Sequence, residues 1–244
     1  MKITFLGTNG WYDTNTGNTI CTLIQTENYN IIFDAGNGIY KIDKYIANNK
    51  PIYLFLSHFH LDHIAGLHIL LKFKFKQGIG IYGQIGTKNI LNKIICPPFT
   101  CPLNELKYKI DVFELDEGQH KIPFFVECKY LLHRSKCMGY RVHIDNKIIA
   151  HCLDTGICKN AIELSKNADL VLTECSKYNK EALDASWPHL NPEMAAKIAI
   201  RAGAKKLALT HFDASVYKTI DKREQAQKIF KNTIVAIDDR KIEI

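Results

Sequence analysis

Residues 58–63 read His58-Phe59-His60-Leu61-Asp62-His63, and they come just after an apolar segment, residues 51–56, with the composition of a buried strand. His58 and His60 are two positions apart, so in extended backbone both imidazoles project in the same direction and can reach one metal ion. Asp62 and His63 lie beyond the turn and can bind a second ion nearby. Imidazole and carboxylate ligands favour zinc, with manganese or iron as alternatives. The stretch therefore predicts a metal centre at the end of a buried strand.

The rest of the chain alternates short strands with helices. We predict hairpins over residues 19–33 and 138–151, the second with Asp145 and Asn146 at its turn, and helices over residues 39–47, 65–73, 191–202 and 221–230. Asn191 as N-cap and Pro192 at the first helical position are clear start signals. Strand-rich halves that are each followed by helices predict an α/β protein, with two packed sheets between outer helices in a single domain.

The composition of the 244-residue chain is that of a globular protein, with 46% hydrophobic and 23% charged residues. The net charge of +7 favours an anionic partner. The basic residues are scattered, however, as in the alternation of Lys72, Lys74 and Lys76 with phenylalanines. A dedicated polynucleotide surface would cluster them and would add arginines, so the charge alone does not indicate one.

The cellular compartment is predicted from what the sequence lacks. No run approaches the roughly eighteen apolar residues of a membrane span, and residues 1–7 lack the features of a signal peptide. The eight cysteines are irregularly spaced and form no C-x-x-C pair, which favours reduced thiols. Cys96 and Cys101 leave a second interpretation open, as a clip for a loop or half of an accessory metal site. A cytoplasmic protein without a membrane partner is the simplest interpretation.

Further short segments of the chain resemble the metallo-β-lactamase superfamily, and they occur in the order that this family shows. They are Asp34-Ala35-Gly36, the stretch at 58–63, Leu132-His133-Arg134, Gly139-Tyr140-Arg141, Asp154-Thr155-Gly156 and Thr210-His211-Phe212. The Gly-Tyr-Arg segment is similar to the ribonuclease Z and phosphodiesterase branch. The resemblance extends over residues 2–213, and it implies a four-layer αββα sandwich that forms one hydrolase domain over residues 1–244.

The resemblance also implies two divalent metal ions, with zinc preferred. By that resemblance, the first ion is held by His58, His60, His133 and Asp154, and the second by Asp62, His63, Asp154 and His211. Asp154 and a water or hydroxide would bridge the two ions. Two ions about 3.5–4 Å apart activate the bridging hydroxide and neutralise charge that develops on a phosphoryl group. A binuclear phosphodiesterase is therefore implied.

A proton donor is implied by two further matches. In the ribonuclease Z branch, a Glu after a late strand orients a His that precedes a helix, and this His protonates the leaving oxygen. Glu174 and His189 match these positions. A carboxylate-oriented imidazole suits this role because its pKa lies near the working pH; a plain loop histidine beside a helix cap is the alternative. The predicted catalytic residues are Asp62, Glu174 and His189.

The remaining histidines carry less weight in the sequence. His68 is predicted on a helix face, His120 in a turn, and His143 and His151 in strands, all as surface or packing residues. His151 stays open because it lies three positions before Asp154.

One departure from ribonuclease Z changes the predicted substrate. Those enzymes carry a long arm that grips precursor tRNA, inserted between the Gly-Tyr-Arg strand and the bridging Asp. Arg141 and Asp154 are only thirteen positions apart, which leaves room for one hairpin. The sequence therefore favours a small or cyclic nucleotide phosphodiester as substrate. Two alternatives remain: a tRNA 3′-processing or other RNA nuclease that binds RNA through a homodimer surface, and a non-catalytic metal-binding regulatory protein.

Overall fold

The computed structural model describes residues 1–178 and 184–244. Within these ranges the chain forms sixteen strands. In chain order, β1 to β16 are Lys2–Gly7, Asn9–Gly10, Cys21–Gln25, Asn30–Phe33, Ile52–Phe55, Ile79–Gln84, Ile110–Leu115, Gly118–Lys121, Phe125–Tyr130, Met138–Ile144, Lys147–Cys152, Leu170–Glu174, Leu207–Thr210, Phe212–Asp213, Thr233–Val235 and Lys241–Glu243.

Helices are short and connect the strands. The α-helices α1 to α5 are Leu61–Ile64, Thr87–Ile94, Lys159–Leu164, Pro192–Ala202 and Ile220–Gln225, and 3₁₀ helices cover Asn37–Lys44, Ala65–Lys72, Leu103–Glu105 and Ala226–Ile229. The predicted start of α4 is confirmed, because Oδ1 of Asn191 accepts a hydrogen bond from the Met194 amide at 2.9 Å. No helix in the described ranges combines the length and the apolar character that a bilayer span requires.

Two seven-stranded sheets form the frame of the molecule. The first has the order β16-β1-β3-β4-β5-β6-β7, and the second has the order β15-β13-β12-β11-β10-β9-β8. Strands β4 to β7 run parallel, as do β11, β12, β13 and β15. The antiparallel pairs include the hairpin of β3 and β4 and the pairing of β1 with β16. The predicted hairpin of β10 and β11 is confirmed, with Asp145 and Asn146 at its turn in the left-handed conformation.

The buried side chains fall into three layers of core. Alternate residues of both sheets, such as Phe5, Phe33, Tyr140 and Leu172, pack between the sheets. The other face of the first sheet packs under α2 and the 3₁₀ helices Asn37–Lys44 and Ala65–Lys72. The other face of the second sheet packs under α3, α4 and the 3₁₀ helix Ala226–Ile229. Because both faces of the central strands are covered, these strands are apolar almost throughout. The predicted fold, two sheets between outer helices in a four-layer sandwich, is confirmed.

Some local predictions are wrong. The helices expected over residues 39–47 and 65–73 are 3₁₀ helices, and the one expected over residues 221–230 is α-helical only as far as Gln225. Close backbone packing gives a reason at the second of them: the Gly66 amide donates to Ala35 O at 2.9 Å, outside its own helix. A Cβ at Gly66 would lie 2.3 Å from Gly36 O.

His120 lies in a strand, not in the predicted turn. It belongs to β8, which pairs with β9 at the edge of the second sheet. The residues of β8, Gly-Gln-His-Lys, are mostly exposed, so they lack the apolar alternation by which a strand is recognised in a sequence. The short helix α3 was likewise not predicted.

The topology brings one end of both sheets together. Strands β4 and β5 end just before Asp34 and His58, and β11, β12 and β13 end at or just before Asp154, Glu174 and His211. In parallel sheets the carboxyl ends of the strands meet at one edge, where binding sites commonly form. The two sheets are tied there, since the Met138 amide of β10 donates to Ser57 O at 2.8 Å.

Candidate active site

The first group of predicted ligands is brought together at this edge. His58, His60, His133 and Asp154 each place a nitrogen or carboxylate oxygen so that all four atoms lie within 4.8 Å of one another. His58 and Asp154 are buried, and Nε2 of His58 lies 3.9 Å from Oδ2 of Asp154. Nε2 of His133 is 3.4 Å from Nδ1 of His60. Segments that are up to 96 residues apart in the sequence thus share one small volume.

The second group lies beside the first. Nε2 of His211 is 3.0 Å from Nε2 of His63, 3.2 Å from Oδ2 of Asp62 and 3.3 Å from Oδ1 of Asp154. Nε2 of His63 is 3.5 Å from Oδ2 of Asp154. Asp154 therefore contacts both groups, which is the position expected of a bridging carboxylate.

These donor atoms fit metal ions. Four ligands at about 2.0–2.1 Å in tetrahedral geometry lie roughly 3.3 Å from one another, close to the separations in the second group. Nε2 of His58 and Oδ1 of Asp154 are buried without a hydrogen-bond partner among the described residues. Buried polar atoms are rarely left without partners, and a cation would satisfy both of them.

The charges of the site also favour cations. Burial alone would raise the pKa of Asp154, but His211 and His63 outweigh it and hold that pKa well below its ordinary value. Burial would lower the pKa of His63, whereas Asp154, Asp34 and Asp62 raise it well above its ordinary value. Negative charge close to the imidazoles thus favours a positive charge among them, which either a proton or a metal ion can supply.

Asp34 lies behind both ligand groups, in the Asp34-Ala35-Gly36 turn whose resemblance predicts that it supports the loops of the metal site. Its buried carboxylate accepts a hydrogen bond from Nδ1 of His63 at 3.0 Å, and from the amide and hydroxyl of Ser57 at 2.8 and 2.9 Å. Oγ of Ser57 lies 3.0 Å from Nδ1 of His58. These contacts orient both rings so that Nε2 faces the donor cluster, as second partners of metal-binding histidines do. An aspartate at the end of a buried parallel strand was the available signal.

Glu174 and His189 form a direct pair. Nδ1 of His189 donates to both carboxylate oxygens of Glu174, at 2.8 and 2.9 Å, and Glu174 is fully buried. Burial lowers the pKa of His189, but the charge and hydrogen bond of Glu174 outweigh it and raise the pKa to about 9. The imidazole therefore carries a proton at neutral pH. Atoms of Asp154, Glu174 and His189 also lie within 4.8 Å of one another, so this pair adjoins the candidate metal ligands.

A cleft of about 760 Å³ opens over the site. Its floor contains His60, Asp62, Asp154, His189 and His211. Its walls are Gly10, Trp11, Leu61, Ser176, Lys177, Trp187, Asp213 and Val216. The cleft can hold a small molecule whose reactive centre reaches both groups of ligands and the proton on His189.

Gly10 is a residue of the site that the sequence did not indicate. A Cβ at this position would lie 2.5 Å from Cε1 and 2.7 Å from Nδ1 of His211, and both distances are shorter than van der Waals contact allows. Gly10 therefore lets the His211 ring lie against the backbone of β2, which pairs with β14 next to His211. A glycine in the Gly-Thr-Asn-Gly loop was visible in the sequence, but nothing there indicated its contact with a residue 201 positions away.

The other histidines lie outside the two groups. His68 is exposed, and His143 accepts a hydrogen bond from Nε of Arg141 at 3.0 Å. His151 is buried and stacks on Phe33, with ring centroids 4.5 Å apart. Burial lowers its pKa to about 4, so the ring is neutral. It lies 3.6 Å from Asp34 and thus behind the site.

Comparisons with known proteins show the family and the fold of this chain. The family model for the beta-lactamase superfamily domain matches residues 29–212. The probable metallo-hydrolase YhfI of Bacillus subtilis is 26% identical over 247 residues, which cover 96% of each protein. Its crystal structure, described as a metallo-β-lactamase fold protein, superposes with a TM-score of 0.79 over 99% of this chain and 98% of that one.

Ribonuclease Z is a second kind of relative. The enzyme from Prochlorococcus marinus subsp. pastoris is 29% identical over 309 residues, which cover 98% of each protein. That alignment is longer than this chain, so the relative has segments that are missing here. The short form of human tRNase Z shares the fold, with 24% identity and a TM-score of 0.74 over 100% of this chain and 99% of that one. The chain belongs to the metallo-β-lactamase superfamily, and it is similar both to ribonuclease Z enzymes and to a probable metallo-hydrolase of that fold.

Proposed function

We propose that the chain acts as a single hydrolase domain, a binuclear metal-dependent phosphodiesterase for small or cyclic nucleotide phosphodiesters. The observation that carries this proposal is the buried Glu174–His189 pair, with its proton at the edge of a cleft that also contains Asp154. Hydrolysis of a diester needs a proton for the alkoxide that leaves. A lactonase or a thioesterase has less use for such a donor.

The histidine and aspartate groups would hold the two divalent ions. His58, His60, His133 and Asp154 would hold one, and Asp62, His63, Asp154 and His211 the other, with zinc preferred over manganese and iron for these donors. When bound, such a pair activates water and neutralises the charge that develops on the phosphoryl group. Asp34 and Ser57 keep the imidazoles of His63 and His58 aimed at the ions.

His189 would complete the reaction. Water would add to phosphorus and release one proton to solvent while the bond from phosphorus to the ester oxygen breaks and that oxygen takes the proton from His189. A proton from solvent then restores the imidazolium of His189. Because Nδ1 is held by Glu174, the proton is given from Nε2. The imidazolium is favoured until the oxygen leaves, since Glu174 raises the pKa of His189 to about 9. General acid catalysis of this kind contributes about 10²- to 10⁴-fold to a rate.

The cleft favours a small substrate. Strands β10 and β11 are joined by a two-residue turn at Asp145 and Asn146, so no tRNA-binding arm is inserted there. At about 760 Å³ the cleft accommodates a nucleotide, and Lys177 contributes a positive charge to its wall. The similarity to ribonuclease Z keeps a second candidate function, tRNA 3′-end processing, for which this chain would need another RNA-binding surface.

The free thiols support a reducing compartment. All eight cysteines are unpaired, and five of them are buried. Disulfides form in oxidising compartments and are rare in the cytosol. We therefore place the proposed activity in the cytoplasm.

A substrate panel tests the proposal. Metal-loaded protein would be assayed with bis-p-nitrophenyl phosphate, 2′,3′- and 3′,5′-cyclic nucleotides and a precursor tRNA. We expect hydrolysis of bis-p-nitrophenyl phosphate and of at least one cyclic nucleotide. His189→Ala should abolish most of the activity on the cyclic nucleotide. His68→Ala is the matched control, since His68 is exposed and lies outside the cleft.

Each alternative gives a different result in this panel. Cleavage of the precursor tRNA alone would favour the tRNA-processing function. Retention of metal without turnover of any substrate would favour a non-catalytic metal-binding protein.

A further inference from the structure

Both tryptophans of the chain line the cleft over the candidate active site. The sequence contains two, Trp11 and Trp187. Their exposed fractions are 67% and 40%. A large aromatic side chain in water forgoes the free energy of burial, and exposed aromatic surface in a cleft marks a place where a ligand packs.

Trp11 stands beside the second group of ligands. Its amide donates to Oδ2 of Asp62 at 2.7 Å, which fixes the backbone next to a predicted metal ligand. The residue has a φ of 72°, in the left-handed region that bulky side chains rarely adopt. Tyr12 packs edge-on against the indole, with ring centroids 5.2 Å apart. This conformation costs free energy, and it holds an exposed aromatic ring at the mouth of the cleft.

Trp187 stands beside the first group and the proton donor. Its ring centroid lies 6.2 Å from those of His60 and His133, and 5.8 Å from that of His189. The guanidinium carbon of Arg134 lies 5.4 Å from the ring centroid. An aromatic ring next to a cation is the combination on which unpaired nucleobases stack. The two tryptophans thus adjoin different ends of the site.

We infer that the substrate is a linear nucleotide diester with an unpaired base on each side of the phosphate, one against Trp11 and one against Trp187. This inference rests on the proposed function and narrows it. With the phosphate over Asp154, its two ester arms extend toward the two ligand groups. The arm next to His189 takes the proton, so the base against Trp187 belongs to the leaving nucleoside. A cyclic nucleotide has one base and can occupy only one of these positions.

A double-mutant cycle, in which each tryptophan substitution is combined with removal of each base, tests the inference. Metal-loaded protein would be assayed with the dinucleotide UpU and with two analogues, each lacking one base. Trp11→Leu and Trp187→Leu should each lower kcat/KM for UpU by roughly tenfold, the range of one base–aromatic stack. Trp187→Leu should have no further effect on the analogue without the leaving-side base, and Trp11→Leu none on the other analogue. Trp→Phe at either position should restore most of the activity.

Phe99 provides a matched control. It is an exposed aromatic residue, at 72%, and lies outside the cleft, so Phe99→Leu should leave kcat/KM for UpU unchanged. Equal losses for all substrates in the Trp variants, or equal kcat/KM for UpU and both abasic analogues, would overturn the inference.

Binding gives a readout that does not depend on turnover. Tryptophan fluorescence reports only these two positions, so Trp11→Phe leaves Trp187 as the single fluorophore and Trp187→Phe leaves Trp11. A non-hydrolysable UpU analogue should quench both, and a 3′,5′-cyclic nucleotide only one. If bis-p-nitrophenyl phosphate is not hydrolysed, the proposed function fails, and this titration still decides the stacking. If bis-p-nitrophenyl phosphate is hydrolysed but the non-hydrolysable UpU analogue quenches neither tryptophan, the inference fails and the proposed function stands.

Discussion

The carboxylate of Glu174 accepts one bifurcated hydrogen bond from Nδ1 of His189, with its two oxygens at 2.8 and 2.9 Å, and it is also held by the backbone on both sides. The amide of Thr155 donates to Oε1 at 2.8 Å, and the amide of Leu190 donates to Oε2 at 3.2 Å. Thr155 directly follows Asp154, and Leu190 directly follows His189. One buried carboxylate therefore fixes the proposed proton donor, His189, relative to Asp154, which contacts both candidate ligand groups.

Replacing His189 should affect substrates according to their leaving group. His189→Ala removes the proton donor, so kcat for a nucleotide diester, which releases an alkoxide, should fall by about 10²- to 10⁴-fold. For bis-p-nitrophenyl phosphate the loss should be much smaller, since p-nitrophenolate leaves without protonation. Steady-state kinetics with both substrates measure the difference. Metal content should stay at about two ions per chain, and loss of metal from this variant would make His189 a ligand instead.

Replacing Glu174 should move the pH profile of kcat. Burial lowers the pKa of His189, and Glu174 raises it to about 9, so the protonated form is present below pH 9 and is lost above it. In the native protein, kcat should therefore fall at alkaline pH with a midpoint near pH 9. In Glu174→Gln the raising charge is gone, and this midpoint should move to lower pH, with a lower kcat at neutral pH.

The same variant needs a stability control. The Thr155 and Leu190 amides donate to different oxygens of Glu174, and a glutamine has an NH₂ group, which cannot accept a hydrogen bond, in place of one of them. One buried amide therefore loses its acceptor, so Glu174→Gln should also lower the melting temperature. The profile would therefore be measured well below that temperature. An unchanged alkaline midpoint in a folded variant would mean that His189 does not supply the proton.

Replacing Asp62 should remove the metal ion from one of the two ligand groups. Its Oδ2 lies 3.2 Å from Nε2 of His211 and 3.8 Å from Nε2 of His63. Asp62→Ala should therefore reduce the metal content from about two ions to about one and lower kcat by several orders of magnitude. Elemental analysis of the purified protein, alongside the assay, measures both.

Asp213 offers a matched control for that change. It lines the same cleft, but its carboxylate accepts hydrogen bonds from the amide and hydroxyl of Ser215, at 2.7 and 2.6 Å. Asp213→Ala should leave the metal content unchanged. Full activity of Asp62→Ala with a single ion would contradict a two-metal mechanism.

The residues of the site could be predicted from the sequence because they occur in short segments at the ends of apolar strands. His58, His60, Asp62 and His63 fall within one turn, and the strand before them is apolar enough to be recognised. Glu174 and His189 could be matched only by resemblance. Their hydrogen bond joins the end of β12 to the residue two positions before the N-cap of α4, and no local pattern encodes that contact.

What the sequence could not provide were contacts between distant segments. Asp34 reaches His63 and Ser57 because β4 and β5 are parallel neighbours, a pairing that neither segment specifies alone. Trp187 was not singled out, because an isolated tryptophan in a loop has no recognisable pattern. The 3₁₀ form of residues 65–72 was missed for a similar reason, since it depends on the contact of Gly66 with Ala35.

Replacing Gly10 should disturb the site through His211 without removing any predicted ligand. The new Cβ of Gly10→Ala would lie 2.5 Å from Cε1 of His211, so the ring or strand β2 must move. A small displacement of a ligand costs metal affinity, and we expect weaker binding at the second group, a kcat at least tenfold lower and stability reduced by about 1–3 kcal/mol. Gly118→Ala separates the two effects: its φ of 125° makes alanine unfavourable, but no atom lies within 4 Å of the new Cβ and the position is in β8. Gly118→Ala should therefore lower the stability and leave the metal content unchanged. If Gly10→Ala keeps the native metal affinity and kcat, the position of His211 does not depend on this contact.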